Sequence, residues 1–183
     1  MNEILIILQA RMSSSRLPNK VLLPILDKPM LAHQVARLQR IKTPHRLIIA
    51  TSDEGSDDSI EVLCQQLNID CFRGDLTDVL ARYYHAAMTF KSKDSNVNRI
   101  TNIVRVTGDC PLIDAEIIDD VIELFMKNNS DYCSNCVPAT LPDGLDVEVF
   151  SFDALEKAYQ LAKKPSEREH VTPFIRNNPL LFT

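Results

Sequence analysis

A chain of 183 residues, 45% hydrophobic and 25% charged, can bury a real core and is sized for one α/β domain. Four glycines and ten prolines exclude a fibrous or low-complexity chain, and no apolar run approaches the roughly 18 to 20 residues of a membrane helix. The net charge of −5 divides into +6 over residues 1–50 (eight Lys/Arg against Glu3 and Asp27) and −11 over the rest, which argues against a nucleic-acid coat and for a small polyanion bound at one spot.

Met1-Asn2-Glu3 lacks the basic start and long apolar stretch of a signal peptide. Glu3 to Gln9 reads as a buried strand, an apolar run rich in β-branched residues. A polar loop, Ala10 to Lys20, follows it. Pro29 can open a helix whose stripe is Leu31, Val35 and Leu38. Arg46 to Thr51 is a second strand. Ser56 to Leu67 has the apolar spacing of a helix, with Asp57, Asp58 and Glu61 near its positive N-terminus. A short strand, Ile69 to Phe72, leads to a helix over Thr77 to Phe90, with Tyr83 inward and Tyr84 at the rim. Lys91 to Arg99 is a polar loop. Ile100 to Thr107 is a strand and Asp114 to Lys127 a helix, with Asp114 as N-cap. Leu145 to Phe150 reads as a strand, Phe152 to Ala162 as a helix, and Glu167 to Arg176 as a final helix.

This alternation predicts a doubly wound α/β fold with a mostly parallel sheet, formed by a single domain over residues 1–183. In such folds ligands bind where strands end, beside a topological switch point. Five cysteines, an odd number at irregular spacing, fit a reducing, cytoplasmic setting. Cys133 and Cys136 form a lone CxxC with no second ligand pair, and read as ordinary thiols. His33, His45 and His85 show no metal spacing.

Two segments carry chemistry. The first is Gln9-Ala10-Arg11-Met12-Ser13-Ser14-Ser15-Arg16-Leu17-Pro18-Asn19-Lys20, with three cations and three hydroxyls just after the first strand. Arginine forks, a lysine point charge and loop N–H groups suit a triphosphate. Neither GxxxxGK[ST] nor GxGxxG is present, which disfavours a P-loop or a dinucleotide fingerprint. The second is Thr107-Gly108-Asp109-Cys110-Pro111. Asp109 sits where a hydrophobic strand ends, as a Mg²⁺ ligand would or as a turn aspartate would.

The segments QARMSSSRLPNKVLLPILDKPML, DVLARYYHAA, VRVTGDCPLID, PDGLDVEVFSFDALEKA and EREHVTPFI run in order along nearly the whole chain. Together they resemble the spore coat polysaccharide biosynthesis protein F family of cytidylyltransferases, relatives of CMP-sialate and CMP-KDO synthetases. The resemblance implies a Rossmann-like fold of nucleotide-diphospho-sugar transferase type. It implies a soluble, Mg²⁺-dependent, often homodimeric enzyme that joins CMP from CTP to an acidic or cell-surface sugar and releases pyrophosphate. By position, Arg11, Arg16 and Lys20 would hold the triphosphate, with Gln9, Ala10 and Ser13 beside them. Asp109 would hold Mg²⁺. Asp78 and Arg82 would belong to the nucleotide or sugar pocket. Asp146, Glu148, Arg168 and His170 would face the sugar, with His170 in an orienting or structural role.

The chain departs from the family pattern in two places. Ser13 and Asn19 stand where glycine is usual, and a later acidic segment, D-x-x-E-D, that can supply a second metal carboxylate is not within residues 1–183. Two other readings stay open: a related pyrophosphorylase or glycosyltransferase, and a non-catalytic module that keeps the fold. A glycosyltransferase would carry D-x-D, where this chain has Asp146-Val147-Glu148.

Overall fold

The computed structural model describes residues 3–93 and 100–183, and of residues 91–93 the backbone alone. Strand β1 (Glu3–Gln9) forms the centre of the sheet, with parallel β4 (His45–Ser52) on one side and parallel β6 (Ile100–Thr107) on the other. Beyond β4 lies parallel β5 (Asp70–Gly74). Beyond β6 lie antiparallel β8 (Glu148–Ser151) and then β7 (Tyr132–Ser134), giving the order β5-β4-β1-β6-β8-β7.

The alternation of β1 explains its nearly unbroken hydrophobic run. Successive side chains point to opposite faces, and both faces are covered. Ile4, Ile6 and Leu8 pack into a core with residues of α1 (Met30–Leu38), α2 (Asp58–Leu67) and α4 (Ala115–Asn128). Leu5 and Ile7 pack into a second core with residues of α3 (Val79–Lys93) and α5 (Phe152–Leu161). Tyr83 is fully buried and Tyr84 half-buried, as the sequence predicts. No helix among the described residues is long and apolar enough to cross a membrane.

Several elements differ from the sequence expectation. A hairpin, β2 (Pro24–Ile25) with β3 (Lys28–Pro29), precedes α1; two residues per strand, including two prolines, leave no alternating pattern to read. The helix expected from Ser56 begins at Asp58, after a 3-10 turn over Gly55–Asp57. Of the polar loop expected at Lys91 to Arg99, residues 91–93 complete α3 and 94–99 lie outside the described residues. The single helix expected over Glu167 to Arg176 is two, α6 (Pro165–His170) and α7 (Pro173–Arg176). Val171 breaks it at φ 71°, ψ −60°, a tight γ-turn closed by the Thr172 N–H on the His170 carbonyl at 2.8 Å. All five cysteines are free thiols.

The topology places the site. From β1 the chain moves to β4 and β5 on one side, then returns to β6 on the other. The switch point therefore lies between the carboxyl ends of β1 and β6.

Candidate active site

The loop leaving β1 and the turn leaving β6 touch at this point. Gly108 donates its N–H to the Gln9 carbonyl at 2.6 Å. A Cβ there would lie 2.7 Å from that oxygen and 3.0 Å from Ala10 Cβ, so glycine is what lets the two strand ends close together. Gln34, fully buried on α1, donates to the Thr107 carbonyl at 2.7 Å and pins the end of β6.

The first loop folds back on one peptide. The Met12 carbonyl accepts from the N–H groups of Ser14 and Asn19, both at 2.9 Å. Asn19 then takes a left-handed conformation, φ 62°, and starts the 3-10 turn Lys20–Leu22. Asparagine tolerates that conformation, so the departure from glycine at this position costs little.

A cleft of about 1140 Å³ opens above these elements. Arg11, Arg16 and Lys20 line it from the first loop, Asp109 from the second, and Asp143 and Asp146 from the segment before β8. Lys20 Nζ and Asp109 Oδ2 form an ion pair at 2.8 Å across 89 residues of sequence. Burial pushes the Asp109 carboxyl up, but the hydrogen bonds from Lys20 and Thr107 outweigh it, and the net shift is downward. The carboxylate is therefore ionised at neutral pH. Its oxygens, with those of Asp143 and Asp146, are hard donors. Among the described residues, no three His, Cys, Asp or Glu side chains are grouped as a ready-made metal cage. Hard carboxylate oxygens are the donor type Mg²⁺ takes, one or two at a time, with phosphate and water oxygens completing its shell.

The structure brings together Gln9, Ala10, Arg11, Arg16, Lys20, Asp109 and Asp146 in this cleft. The others lie outside its lining. Ser13 is exposed outside the lining; the turn closed by Ser14 on Met12 presents Ser14 and Ser15 instead. Asp78 caps the first turn of α3, accepting from Ala81 N at 2.9 Å, and takes a forked ion pair from Arg168 at 2.5 to 3.0 Å. Arg168 also donates to the Tyr159 carbonyl at 2.7 Å and lies over the Tyr159 ring. Both residues fasten α6 to α3 and α5. Arg82 is 1% exposed on the inward side of α3, packed by its stem against Gly74, and donates to the Asp75 carbonyl at 3.0 Å. Glu148 is buried at the start of β8, within the sheet, in a network with Arg105, Tyr132 and Thr172. His170 ends α6, exposed and away from the cleft. Helix-facing and strand-facing positions cannot be told from ligand positions when only residue type is read.

Asp143 was missed by sequence reasoning; a second aspartate three residues before Asp146, across Gly144, was the available signal.

The sequence matches the cytidylyltransferase family model over residues 5–183. The chain belongs to the cytidylyltransferase family. This cytidylyltransferase is 46% identical over 176 residues to an uncharacterized protein of Methanocaldococcus jannaschii, covering 96% of this chain and 68% of that protein. It is 35% identical over 196 aligned positions to the spore coat polysaccharide biosynthesis protein SpsF of Bacillus subtilis, covering 100% of this chain and 73% of SpsF. A solved cytidylyltransferase from Leptospira borgpetersenii superposes at TM-score 0.90 with 36% identity, covering 100% of this chain and 74% of that one. The spore-coat resemblance and the Rossmann-like nucleotidyltransferase fold are thus established for this cytidylyltransferase.

The displaced residues give a first expected result. Arg168→Ala removes three charge-assisted contacts to Asp78 and lowers stability by about 1 to 3 kcal/mol. Nucleotide affinity should stay within about twofold of the unaltered cytidylyltransferase, since α6 lies off the cleft. Melting curves and calorimetric titration with CTP check both halves; a large affinity loss would return Arg168 to the binding site.

Proposed function

We propose that the cleft joins CMP from CTP to a sugar hydroxyl and releases pyrophosphate, with Mg²⁺. One observation carries the reading: the Lys20–Asp109 pair at the switch point, in one cleft with Arg11 and Arg16. Fixed cations on one wall and carboxylates on the other are what a metal-bound triphosphate requires. Membership of the cytidylyltransferase family supports CTP as the donor. The kinship with a protein named for spore coat polysaccharide biosynthesis supports a cell-surface sugar as the acceptor.

The sugar oxygen attacks the α-phosphorus in line. The bond from that phosphorus to the bridging oxygen of the β-phosphate breaks, pyrophosphate leaves, and the hydroxyl proton passes to water. Arg11 and Arg16 offer planar forks to the β- and γ-phosphate oxygens, and Lys20 offers a point charge. These groups hold the triphosphate and take up the charge that develops on the leaving pyrophosphate. Asp109, with Asp146 or Asp143, would hold Mg²⁺, which when bound supplies positive charge to the phosphate oxygens.

Thermal unfolding with each nucleoside triphosphate, with and without Mg²⁺, tests the reading. Ligand at a hundredfold over its Kd adds about 2.7 kcal/mol, roughly 5 to 10 °C for a domain of this size. The expected result is a Mg²⁺-dependent shift with CTP that UTP, GTP and ATP do not match. A larger shift with UTP or GTP would make the protein a pyrophosphorylase of another nucleotide, and no shift with any would defeat the proposal.

A further inference from the structure

Asp57 is fully buried and yet carries an unusually complete set of partners. Oδ1 accepts from Met12 N at 2.8 Å, 45 residues away. Oδ2 accepts from Thr51 Oγ1 at 2.8 Å, Ser52 N at 3.0 Å and Ser52 Oγ at 2.6 Å. One oxygen thus holds the loop after β1, and the other holds the end of β4. Burial pushes the carboxyl up, but the bonds from Ser52, Met12 and Thr51 outweigh it and keep Asp57 ionised at neutral pH.

The loop side matters because Met12 is the peptide on which the loop closes. Its N–H goes to Asp57; its carbonyl takes Ser14 N and Asn19 N. Asn19 in turn accepts from Leu22 N at 3.0 Å within the 3-10 turn that carries Lys20. The hydrogen bonds therefore run from Asp57 through Met12 to the base of Lys20. Arg11 and Arg16 lie on the same short loop.

We propose that Asp57 is a positioning residue that preorganises the triphosphate loop, setting nucleotide affinity through the Met12 peptide without touching the nucleotide. The proposal rests on the reading of that loop as the phosphate site. An ionised carboxylate accepts on both oxygens, so Oδ1 can serve Met12 while Oδ2 is shared among the Thr51 and Ser52 donors. An asparagine would turn its NH₂ toward one of the donors and lose that side. A loop released from its clamp must be ordered by the ligand, and that ordering is subtracted from affinity.

The test compares Asp57→Asn with Asp119→Asn. Asp119 is a clamp of the same kind at another place: it accepts from Lys42 N at 3.0 Å, Thr43 N at 2.9 Å and Thr43 Oγ1 at 2.6 Å, on the connection between α1 and β4. Both variants should melt earlier. At a temperature where both are folded, titration with CTP and Mg²⁺ should give at least tenfold weaker binding for Asp57→Asn and a change within about twofold for Asp119→Asn. Amide exchange should speed up at Met12 and Asn19 in Asp57→Asn while the β1 amides stay protected. Wild-type affinity in Asp57→Asn, equal losses in both variants, or unchanged exchange at Met12 overturns the proposal. If the unaltered chain binds no nucleotide, the phosphate reading of the loop fails, and the exchange experiment still decides whether the clamp exists. Should Asp57→Asn not fold, Thr51→Val removes one donor to Oδ2 and is expected to weaken CTP about threefold; no change there counts against the proposal.

Discussion

Lys20→Ala lowers turnover by roughly 100- to 1000-fold while the fold stays intact, the usual scale for removing one donor aimed at developing charge. The two halves of this expectation have different physical sources. Lys20 and Asp109 side chains are 22% and 40% exposed, and a pair open to solvent in this way contributes only about 0 to 1 kcal/mol to stability. The backbone of the 3-10 turn does not depend on the lysine side chain. Catalysis loses more. The cation at the junction of the two strand ends disappears, and Asp109 is left without its main partner. Its carboxyl then shifts back upward, and while ionised it repels the incoming phosphates instead of being balanced. Steady-state pyrophosphate release with CTP and a panel of acidic sugars, run beside a melting curve, reads both halves. Lys20→Arg, which keeps charge but not shape, should recover part of the rate. A rate equal to the unaltered enzyme with an unchanged melting temperature would remove Lys20 from the chemistry.

The second large effect is structural. Glu148→Ala destabilises the fold by about 2 to 4 kcal/mol, because it leaves the largely covered Arg105 cation unpaired, its side chain 16% exposed. Arg105 on β6 donates to one Glu148 oxygen, and Tyr132 and Thr172 donate to the other at 2.7 and 2.6 Å. Removal leaves one buried donor, Thr172, and two half-buried ones, Arg105 and Tyr132, without this acceptor, in the layer that joins β6, β7, β8 and the γ-turn at Val171. Glu148→Gln keeps one acceptor and should lose less. The same network sets an acid limit. Burial pushes the Glu148 carboxyl up, while the Arg105 charge and the bonds from Thr172, Tyr132 and Arg105 pull it down further, to a net value below the ordinary one. A depressed carboxylate contributes stability that is complete above its unfolded pKa, roughly 4.3, and is lost as pH falls through the lower folded value. Melting temperature should therefore drop through that acid window in the unaltered protein and less steeply in Glu148→Gln. Equal acid sensitivity in both would show that other carboxylates govern the limit.

Asp78, Arg82, Glu148 and Arg168 share a lesson. Each stands in a segment with strong family character, and each is a charged residue of the kind that binds nucleotides or sugars. Their neighbours in three dimensions redirect them. Arg82 falls on the buried side of α3, next to the core residue Tyr83. Glu148 falls on a strand whose partner carries Arg105 directly opposite. Asp78 and Arg168 find each other across 90 residues. Periodicity told which face of an element is apolar; it did not tell which charged residue would be drawn inside to meet another.

The sequence by itself determined the alternating α/β order, the central buried strand, the basic loop after it and the Gly108–Asp109 turn, because these depend on local hydropathy, backbone freedom and residue chemistry. Tertiary structure alone decided the strand order that brings the two segments to one switch point. It decided the Lys20–Asp109 pair, the Asp57 clamp under Met12 and the burial of Glu148, 89, 45 and 24 residues from Lys20, Met12 and Thr172 respectively. Contacts at such separations are set by how whole elements pack, and a hydrogen bond between two distant side chains leaves no repeating trace along the chain.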